Sequence, residues 1–392
     1  MRIAFVSTYP PDEGTLSNHT FHFISHLRQK PEVSDVLVLA NHLPEGSTYP
    51  LPDEKPGMAS LRVHPCWRYG AWDTALRVRR AVVAERPDVV IFNLQGTTFA
   101  RHQLAAAASM LAPWLAHTTG TLTVVMLHTL FDGTDPRTKQ WAGKMLTRAV
   151  LQADLVAVNI PTYVDNLTEN YNADNVLLVP HGVLDANTLT TTSEDGPLRI
   201  VVPGYFTDTE PLTTIIRAFD IVQQRATQPV ELLIAGGDNP QTQTCIEQVK
   251  ARHRHIDHIR YLNHVDDTTL SRLLDDATVV LVPPGNTIPG LLQRASSYGK
   301  AIAAPNISAI ADTVKTEGYT VTFFVPGNIS STAAAMWQLA DNPAYRQIAA
   351  RQNLIAANGL PMSEIVDWYL LHFEHLLAER HPVPASDGIS RT

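Results

Sequence analysis

The chain has few cysteines, the residues that cross-link a fold and that most often hold a structural zinc ion. Only two of its 392 residues are cysteine, namely Cys66 and Cys245, which lie far apart in the sequence. This does not indicate a disulfide framework, and neither cysteine belongs to a pair with zinc-site spacing. The histidines of "RHRHIDHIRYLNH" (252–264) fit a solvated polar surface better than a metal site. We therefore expect no metal and no other cofactor.

Long apolar runs and an excess of positive charge are also missing. No apolar run approaches the roughly 18 residues of a membrane-spanning helix. The opening "MRIAFVSTYPP" is too short for a signal peptide and resembles a first strand, so a cytoplasmic protein is expected. Thirty Lys and Arg against 38 Asp and Glu give a net charge of −8, which excludes a general attraction to nucleic acid or anionic lipid. A local basic patch remains compatible with that sum.

What the chain does have is enough apolar sequence for two cores. Hydrophobic residues make up 44%, and the length favours two domains. The strand-like runs are almost continuously apolar, which is typical of parallel strands covered by helices on both faces. Examples are "DVLVLAN" (35–41), "DVVIFNLQ" (88–95) and "TLTVVMLHT" (121–129). Helices are predicted over 19–29, 74–84 and 104–112, the last ending at Pro113. Strands and helices in alternation indicate a doubly wound α/β fold.

A polar, Thr-rich stretch at 184–196 is the predicted linker, because the strand and helix pattern starts again after it with "LRIVVPG". We predict two Rossmann-like domains, at 1–190 and 197–360, that face each other across a cleft. A helix over 361–380 is expected to pack back on the first domain, and 381–392 to form a flexible tail. Ligands of such folds bind at the carboxyl ends of the strands.

The order and wording of several motifs resemble the GT-B-fold, retaining glycosyltransferases of family 4, over nearly the whole chain. The resemblance is carried by the opening 1–11, "VVMLHT", "VLLVPHGV", "LLIAGGDNP" and "LSRLLDDATVVLVPPGNTIPGLLQRASSYGKAIAAP". It implies an enzyme that uses a nucleotide-sugar donor. The first domain would bind the acceptor and the second the donor.

The resemblance also implies roles for particular residues. His128 is expected near the donor sugar and the reacting centre, the alternative being an ordinary histidine at a strand end. The acceptor would lie near Gly14, Asn18 and His19, although Asn18 or Ser17 could simply cap the first helix. The donor-binding residues that it implies are Tyr205, Gly236, Gly237, Leu262, Gly290, Leu291, Leu292 and Gln293. Gly236 and Gly237 could instead form only a tight turn.

Three departures from the family pattern concern the donor site. The family's pair of glutamates, eight positions apart, aligns with Gly285 and Gln293 when Gly299–Lys300 is used as the anchor. An arginine and a lysine that neutralise the donor diphosphate are replaced by Tyr205 and Glu210. Amides at the start of the helix near Gly290 could still hold a phosphate.

Three hypotheses follow. The leading one is a glycosyltransferase that acts with retention of configuration and without a metal. The second is a catalytically impaired GT-B protein that serves as a binding subunit, with a partner glycosyltransferase or as a homodimer. The third is an enzyme with an unusual donor whose leaving group is less anionic. A dehydrogenase is disfavoured because no G-x-G-x-x-G follows the first strand.

Overall fold

The computed structural model describes residues 1–12, 15–50, 56–95, 98–100, 103–130, 137–183, 196–206, 208–236, 240–284 and 290–380. The chain divides into two compact units. Unit 1 contains Met1–Asn159, Tyr163–Pro180 and the segment from Met362, and unit 2 contains Ile160–Thr162 and His181–Pro361. The predicted linker and tail lie almost wholly outside the described residues.

Unit 1 is built on a parallel sheet of seven strands in its described residues, in the order β3-β2-β1-β4-β5-β6-β7. The strands are β1 (Arg2–Val6), β2 (Asp35–Asn41), β3 (Ser60–Trp67), β4 (Val89–Leu94), β5 (Leu122–Leu127), β6 (Leu155–Val158) and β7 (Val176–Leu178). The helices are α1 (Thr15–Leu27), α2 (Thr74–Glu85), α3 (Gln103–Ser109), α4 (Ala112–His117), α5 (Arg137–Val150) and α6 (Pro161–Tyr171). Every residue of β4 and β5 is buried, which explains their uninterrupted apolar sequence.

Unit 2 repeats the plan with six parallel strands among its described residues, in the order β10-β9-β8-β11-β12-β13. They are β8 (Leu198–Gly204), β9 (Val230–Gly236), β10 (Ile259–Leu262), β11 (Val279–Leu281), β12 (Ala301–Pro305) and β13 (Val321–Phe324). The helices are α7 (Thr209–Arg225), α8 (Pro240–Arg252), α9 (Asp267–Asp276), α10 (Gly290–Ser297), α11 (Ser308–Glu317), α12 (Ile329–Asp341) and α13 (Pro343–Asn358). Two separate sheets of this kind confirm the predicted pair of doubly wound, Rossmann-like domains.

The last helix, α14 (Met362–Arg380), belongs to unit 1. It packs on α1, where the Phe23 and Tyr369 rings meet edge to face with centroids 5.4 Å apart. Lys30 and Asp367 form an ion pair of 2.5 Å beside this contact. The first and last helices of the chain therefore cover the same face of the unit 1 sheet.

One strand was missed and one local prediction was wrong. The sequence analysis did not identify β3, because only two of the eight residues of this edge strand are buried and it lacks a continuous apolar run. The sequence analysis predicted one helix ending at Pro113, whereas α3 ends at Ser109 and Pro113 lies in the first turn of α4. A proline in a first helical turn lacks only an N–H that would have no partner there.

Candidate functional site

The strand order of each sheet identifies where a ligand would bind. In unit 1 the order reverses between β1 and β4, and in unit 2 between β8 and β11. The loops that leave two such strands diverge to opposite faces, so a crevice opens at their carboxyl ends. The residues of interest are therefore those that follow β1, β4 and β5 in unit 1 and β8, β9 and β11 in unit 2.

In unit 1 a chain of buried hydrogen bonds links three strands and α1 at this edge. The Thr20 hydroxyl donates to the Leu16 carbonyl (2.8 Å), so it must accept from both of its other neighbours. These are the Ser7 hydroxyl at 2.7 Å and the Asn93 amide nitrogen at 2.9 Å. One proton and two lone pairs are then all in use, which fixes the orientation of the Asn93 amide.

That orientation sets the protonation of His128. The Asn93 carbonyl oxygen lies 2.5 Å from Nε2 of His128, and it can only accept. Nε2 therefore carries the proton, and in the neutral ring Nδ1 is the acceptor atom. The backbone of His128 also donates to the Leu94 carbonyl at 2.9 Å. His128 is thus a buried histidine of defined tautomer at the predicted ligand edge.

The predicted acceptor residues are only partly placed by the structure. His19, on α1, lies against His128 with the two ring centroids 5.4 Å apart in an edge-to-face arrangement. Asn18 is half-buried in the first turn of α1, and Gly14 lies outside the described residues. The structure thus brings His19 and His128 together, while Asn93 and Thr20, which hold His128, were missed by the sequence analysis. The only sequence signal for Asn93 is a polar residue inside the apolar run "VVIFNL".

Asn159 is a second missed residue at the same edge. It follows Val158, whose register partner is Leu127, the residue before His128. Its side chain is 9% exposed, and neither amide atom has a hydrogen-bond partner among the described residues. A buried amide left without partners costs about 1–3 kcal/mol, so Asn159 is a candidate for contact with a bound ligand.

In unit 2 the predicted donor residues lie at the carboxyl edge of the sheet. Gly204 and Gly236 are register partners at the ends of β8 and β9, and the Gly236 carbonyl accepts from the Val265 amide at 2.9 Å. Leu262 ends β10, an edge strand whose outer backbone is outside the ladder with β9. Tyr205 is exposed, and Gly237 and Gly285 lie outside the described residues.

The start of α7 carries negative charge of its own. Asp208 is the N-cap, and its carboxylate accepts from the Glu210 amide at 3.2 Å. Both carboxylates are exposed. The helix end therefore satisfies one of its amides internally, and an approaching phosphate would meet two like charges there.

The start of α10 keeps its main-chain donors, but the side chains of Leu292 and Arg294 contact other parts of unit 2. Leu292 lies in the core of unit 2. The Arg294 guanidinium donates to the Ser271 hydroxyl (2.9 Å) and the Asp267 carbonyl (3.1 Å) and pairs with the Asp267 carboxylate. The first amides of a helix have no intrahelical acceptor, so the backbone at Gly290 and Leu291 retains the chemistry of an anion site.

Gln293 is 3% exposed and points to α11. Its amide nitrogen lies 2.9 and 2.8 Å from the two carboxylate oxygens of Glu317, and its oxygen has no partner among the described residues. Burial raises the pKa of Glu317, an effect that the hydrogen bond from Gln293 opposes. Burial and the nearby Glu317 charge also raise the pKa of Tyr319. Gln293 thus supports a buried carboxylate that the sequence analysis did not identify.

A separate groove of about 880 Å³ opens at the other end of the unit 2 strands. Its walls include Leu198 and Val230, which begin β8 and β9, together with Trp337 and Arg346. Ligands of doubly wound sheets bind at the carboxyl ends, so this groove is not the candidate site.

Two further searches cover the described ranges only. No group of three or more His, Cys, Asp or Glu side chains in them could hold a metal ion. None of their helices is both long enough and apolar enough to cross a bilayer.

Comparison with known proteins finds a family match within unit 2. Residues 197–342 match the family described as Glycosyl transferases group 1. The chain is similar to glycogen synthase of Mycobacterium tuberculosis (strain ATCC 25618 / H37Rv), with 30% identity over 128 residues. That match covers 32% of this chain and 30% of the synthase, so the chain matches less than a third of this relative's length.

Solved structures resemble the chain over nearly its whole length. Sucrose-phosphate synthase from Thermosynechococcus elongatus has a TM-score of 0.73 at 16% identity, covering 96% of this chain and 99% of that one. An alpha,alpha-trehalose-phosphate synthase (UDP-forming) from Burkholderia xenovorans has a TM-score of 0.66 at 12% identity, covering 95% and 100%. At such identities the likeness establishes the GT-B fold.

Proposed function

We propose that this chain is a family 4 glycosyltransferase that moves a sugar from a nucleotide-sugar donor to an acceptor with retention of configuration. Unit 2 would bind the donor and unit 1 the acceptor. The observation that carries the proposal is the group 1 domain over 197–342, combined with a buried, oriented histidine at the ligand edge of the other sheet. Each unit would then bind one substrate, in the crevice where the strand order of its sheet reverses.

On the donor side, main-chain dipoles would hold the diphosphate. The amides at Gly290 and Leu291 would donate to it, with the helix dipole of α10 favouring the negative charge. Contacts to charged groups contribute about 1.5–3 kcal/mol each, so each of the two missing cations would lower the affinity for the donor by about 10- to 100-fold. The exposed outer edge of β10 at Leu262 would pair with the base. No metal is needed in this scheme.

On the acceptor side, His128 would position a hydroxyl. With Nε2 held by Asn93, its Nδ1 would accept a hydrogen bond from a hydroxyl of the sugar or of the acceptor. The leaving phosphate oxygen would take the acceptor's proton on the same face of the sugar, so no protein nucleophile is required. The protein then contributes positioning and stabilisation of the departing charge.

A panel of nucleoside diphosphates and nucleotide sugars tests the proposal through thermal shift. A ligand present at 100 times its dissociation constant adds about 2.7 kcal/mol of stability. One nucleotide that stabilises the chain, followed by release of that diphosphate when an acceptor is added, is the expected result. The variant His128→Ala should keep the thermal shift and lose the release.

A second candidate function is favoured by the charges around the donor edge. Asp208 and Glu210 are both acidic at the start of α7, and Arg294 is held by Asp267 and Ser271. These features fit an impaired GT-B subunit that supports a partner glycosyltransferase or forms a homodimer. The absence of any thermal shift across the panel would favour this function over catalysis.

A further inference from the structure

Unit 1 exposes an unusual number of large apolar side chains around α2. Six side chains of this kind lie on α2, on the turn before it and on the neighbouring α3 and α4, and we call them the α2 surface. They are Tyr69, Trp72, Leu76, Val83, Leu104 and Trp114, each between 41% and 62% exposed. A soluble protein seldom gathers so many without a binding role.

These side chains are brought to one region by the packing of unit 1. Leu76 and Val83 are seven residues apart, so they lie on one face of α2. Trp72 lies in the turn before the helix, four residues before Leu76. That face is opposite the buried Ala75, Val78 and Val82. Helix α2 packs against α3 and α4, and the Ser109 hydroxyl of α3 reaches the Ala71 carbonyl at 3.4 Å. Leu104 and Trp114 therefore flank the same surface.

Positive charge accompanies the apolar side chains. Between 67 and 86 there are five arginines (68, 77, 79, 80 and 86) and two acidic residues, a local charge of +3 in a chain of −8. Both acids are engaged, Asp73 with Arg77 at 2.7 Å and Glu85 with Arg62 at 3.2 Å. No carboxylate of the described residues lies within ion-pair distance of Arg79 or Arg80.

We propose that the α2 surface docks unit 1 on an anionic membrane surface. The combination is that of an interfacial helix, in which apolar and Trp side chains enter the headgroup region while arginines meet anionic lipid. A protein partner with an acidic apolar face would share part of this chemistry. The clustering of two tryptophans and a tyrosine beside arginines favours the lipid interface. The proposal is independent of the transfer reaction.

The test is co-sedimentation of the full chain with vesicles of phosphatidylcholine alone, or with about one-third phosphatidylglycerol, at low and high salt. We expect at least about tenfold stronger binding to the anionic vesicles, weakened by salt because exposed charges are screened. Each arginine near an anionic surface contributes roughly fivefold. Arg79→Gln with Arg80→Gln should therefore lower binding about 25-fold.

The matched apolar variants are Trp72→Ser with Leu104→Ser, and Ile348→Ser with Ile355→Ser on α13 of unit 2. The second pair is similarly exposed, at 56% and 65%, and should bind vesicles like the parent chain. Quenching of tryptophan fluorescence by brominated lipid should fall in Trp72→Phe and in Trp114→Phe, and should be largely lost when both changes are combined. Circular dichroism should show every variant folded, since the changes are on the surface.

Three results would overturn the proposal. One is equal or no sedimentation with neutral and anionic vesicles. Another is an equal effect of the two serine pairs. The third is a lipid-free dimer that Trp72→Ser with Leu104→Ser converts to a monomer, which would assign the α2 surface to a second copy of the chain.

Discussion

The contact between Gln293 and Glu317 makes Gln293→Glu an informative perturbation. The family resemblance implies a glutamate at position 293, so this substitution introduces the residue that the family has. The structure indicates that it would stand within about 3 Å of a second, half-buried carboxylate whose pKa burial already raises. The change removes two hydrogen bonds to a charged acceptor and replaces them by like-charge repulsion.

The magnitude follows from these two effects. Hydrogen bonds to charged groups contribute about 1.5–3 kcal/mol, and two charges 4 Å apart at an effective dielectric constant of 20 repel by about 4 kcal/mol. The pair can escape the repulsion by binding one proton, so the net loss at pH 7 should be about 2–4 kcal/mol. For a unit of this size that corresponds to roughly 4–16 °C in melting temperature.

The pH dependence has a defined sign. The shared proton raises the pKa of the pair above that of an unfolded glutamate, so the folded state binds more protons than the unfolded chain. Stability is therefore retained at acid pH and lost as the pH rises through the raised pKa. The deficit of Gln293→Glu should be smallest near pH 5 and grow towards pH 8, as measured by thermal melts at several pH values.

Two further variants give this experiment its controls. Gln293→Glu combined with Glu317→Gln exchanges the two groups and should recover most of the loss. Gln224→Glu makes the same chemical change on an exposed side chain, which now donates to the Asp220 carboxylate at 3.2 Å, and should cost only about 0.2–0.5 kcal/mol. If the buried and exposed substitutions are equally mild, or if the exchange does not restore stability, the contact is not the one described.

The remaining predictions concern other contacts of the same two edges. Asn93→Leu should lower kcat by up to about 100-fold, because His128 loses the acceptor that fixes its tautomer; steady-state kinetics should leave the donor KM unchanged, and an unaltered kcat would contradict the role. Asp208→Ala should lower the melting temperature by an amount equivalent to about 1 kcal/mol through loss of the N-cap, while strengthening diphosphate binding in a titration if phosphate approaches α7. Lys300 is buried, which lowers its pKa, and its ammonium donates to the Asp275 carbonyl at 2.7 Å. The unfolded chain therefore binds more protons than the folded one just below pH 10.5, so the parent should gain stability as pH rises there and Lys300→Met should not, as urea melts at pH 8 and 10 can show.

The fold could be predicted from the sequence because each buried strand is marked by a local run of apolar residues. Buried parallel strands such as β2 and β8 are continuous apolar runs, and their predicted bounds agree with the structure. The edge strand β3 lacked that signal, since only two of its eight residues are buried. Proline is compatible both with the end of a helix and with the first turn of the next one. The sequence analysis chose the first position for Pro113, and the structure shows the second.

The candidate site was less readable because its decisive contacts are long-range. The family resemblance implied His128 and His19, but the hydrogen bond between Asn93 and His128 spans 35 residues and that between Gln293 and Glu317 spans 24. No local pattern marks such pairs. The start of α10 was located by its position in the fold, and the partners of Gln293 and Arg294 emerged only from the packing of neighbouring helices.

The return of α14 to unit 1 has a consequence for synthesis. The strands of unit 1 are complete once Leu178 has been made, yet the helix that covers Phe23 comes from the last part of the chain. Unit 2 is made almost entirely between these two events. Unit 2 is therefore synthesised before α14 can cover the apolar face of unit 1, and a chain that stopped before residue 362 would leave Phe23 without its contact to Tyr369.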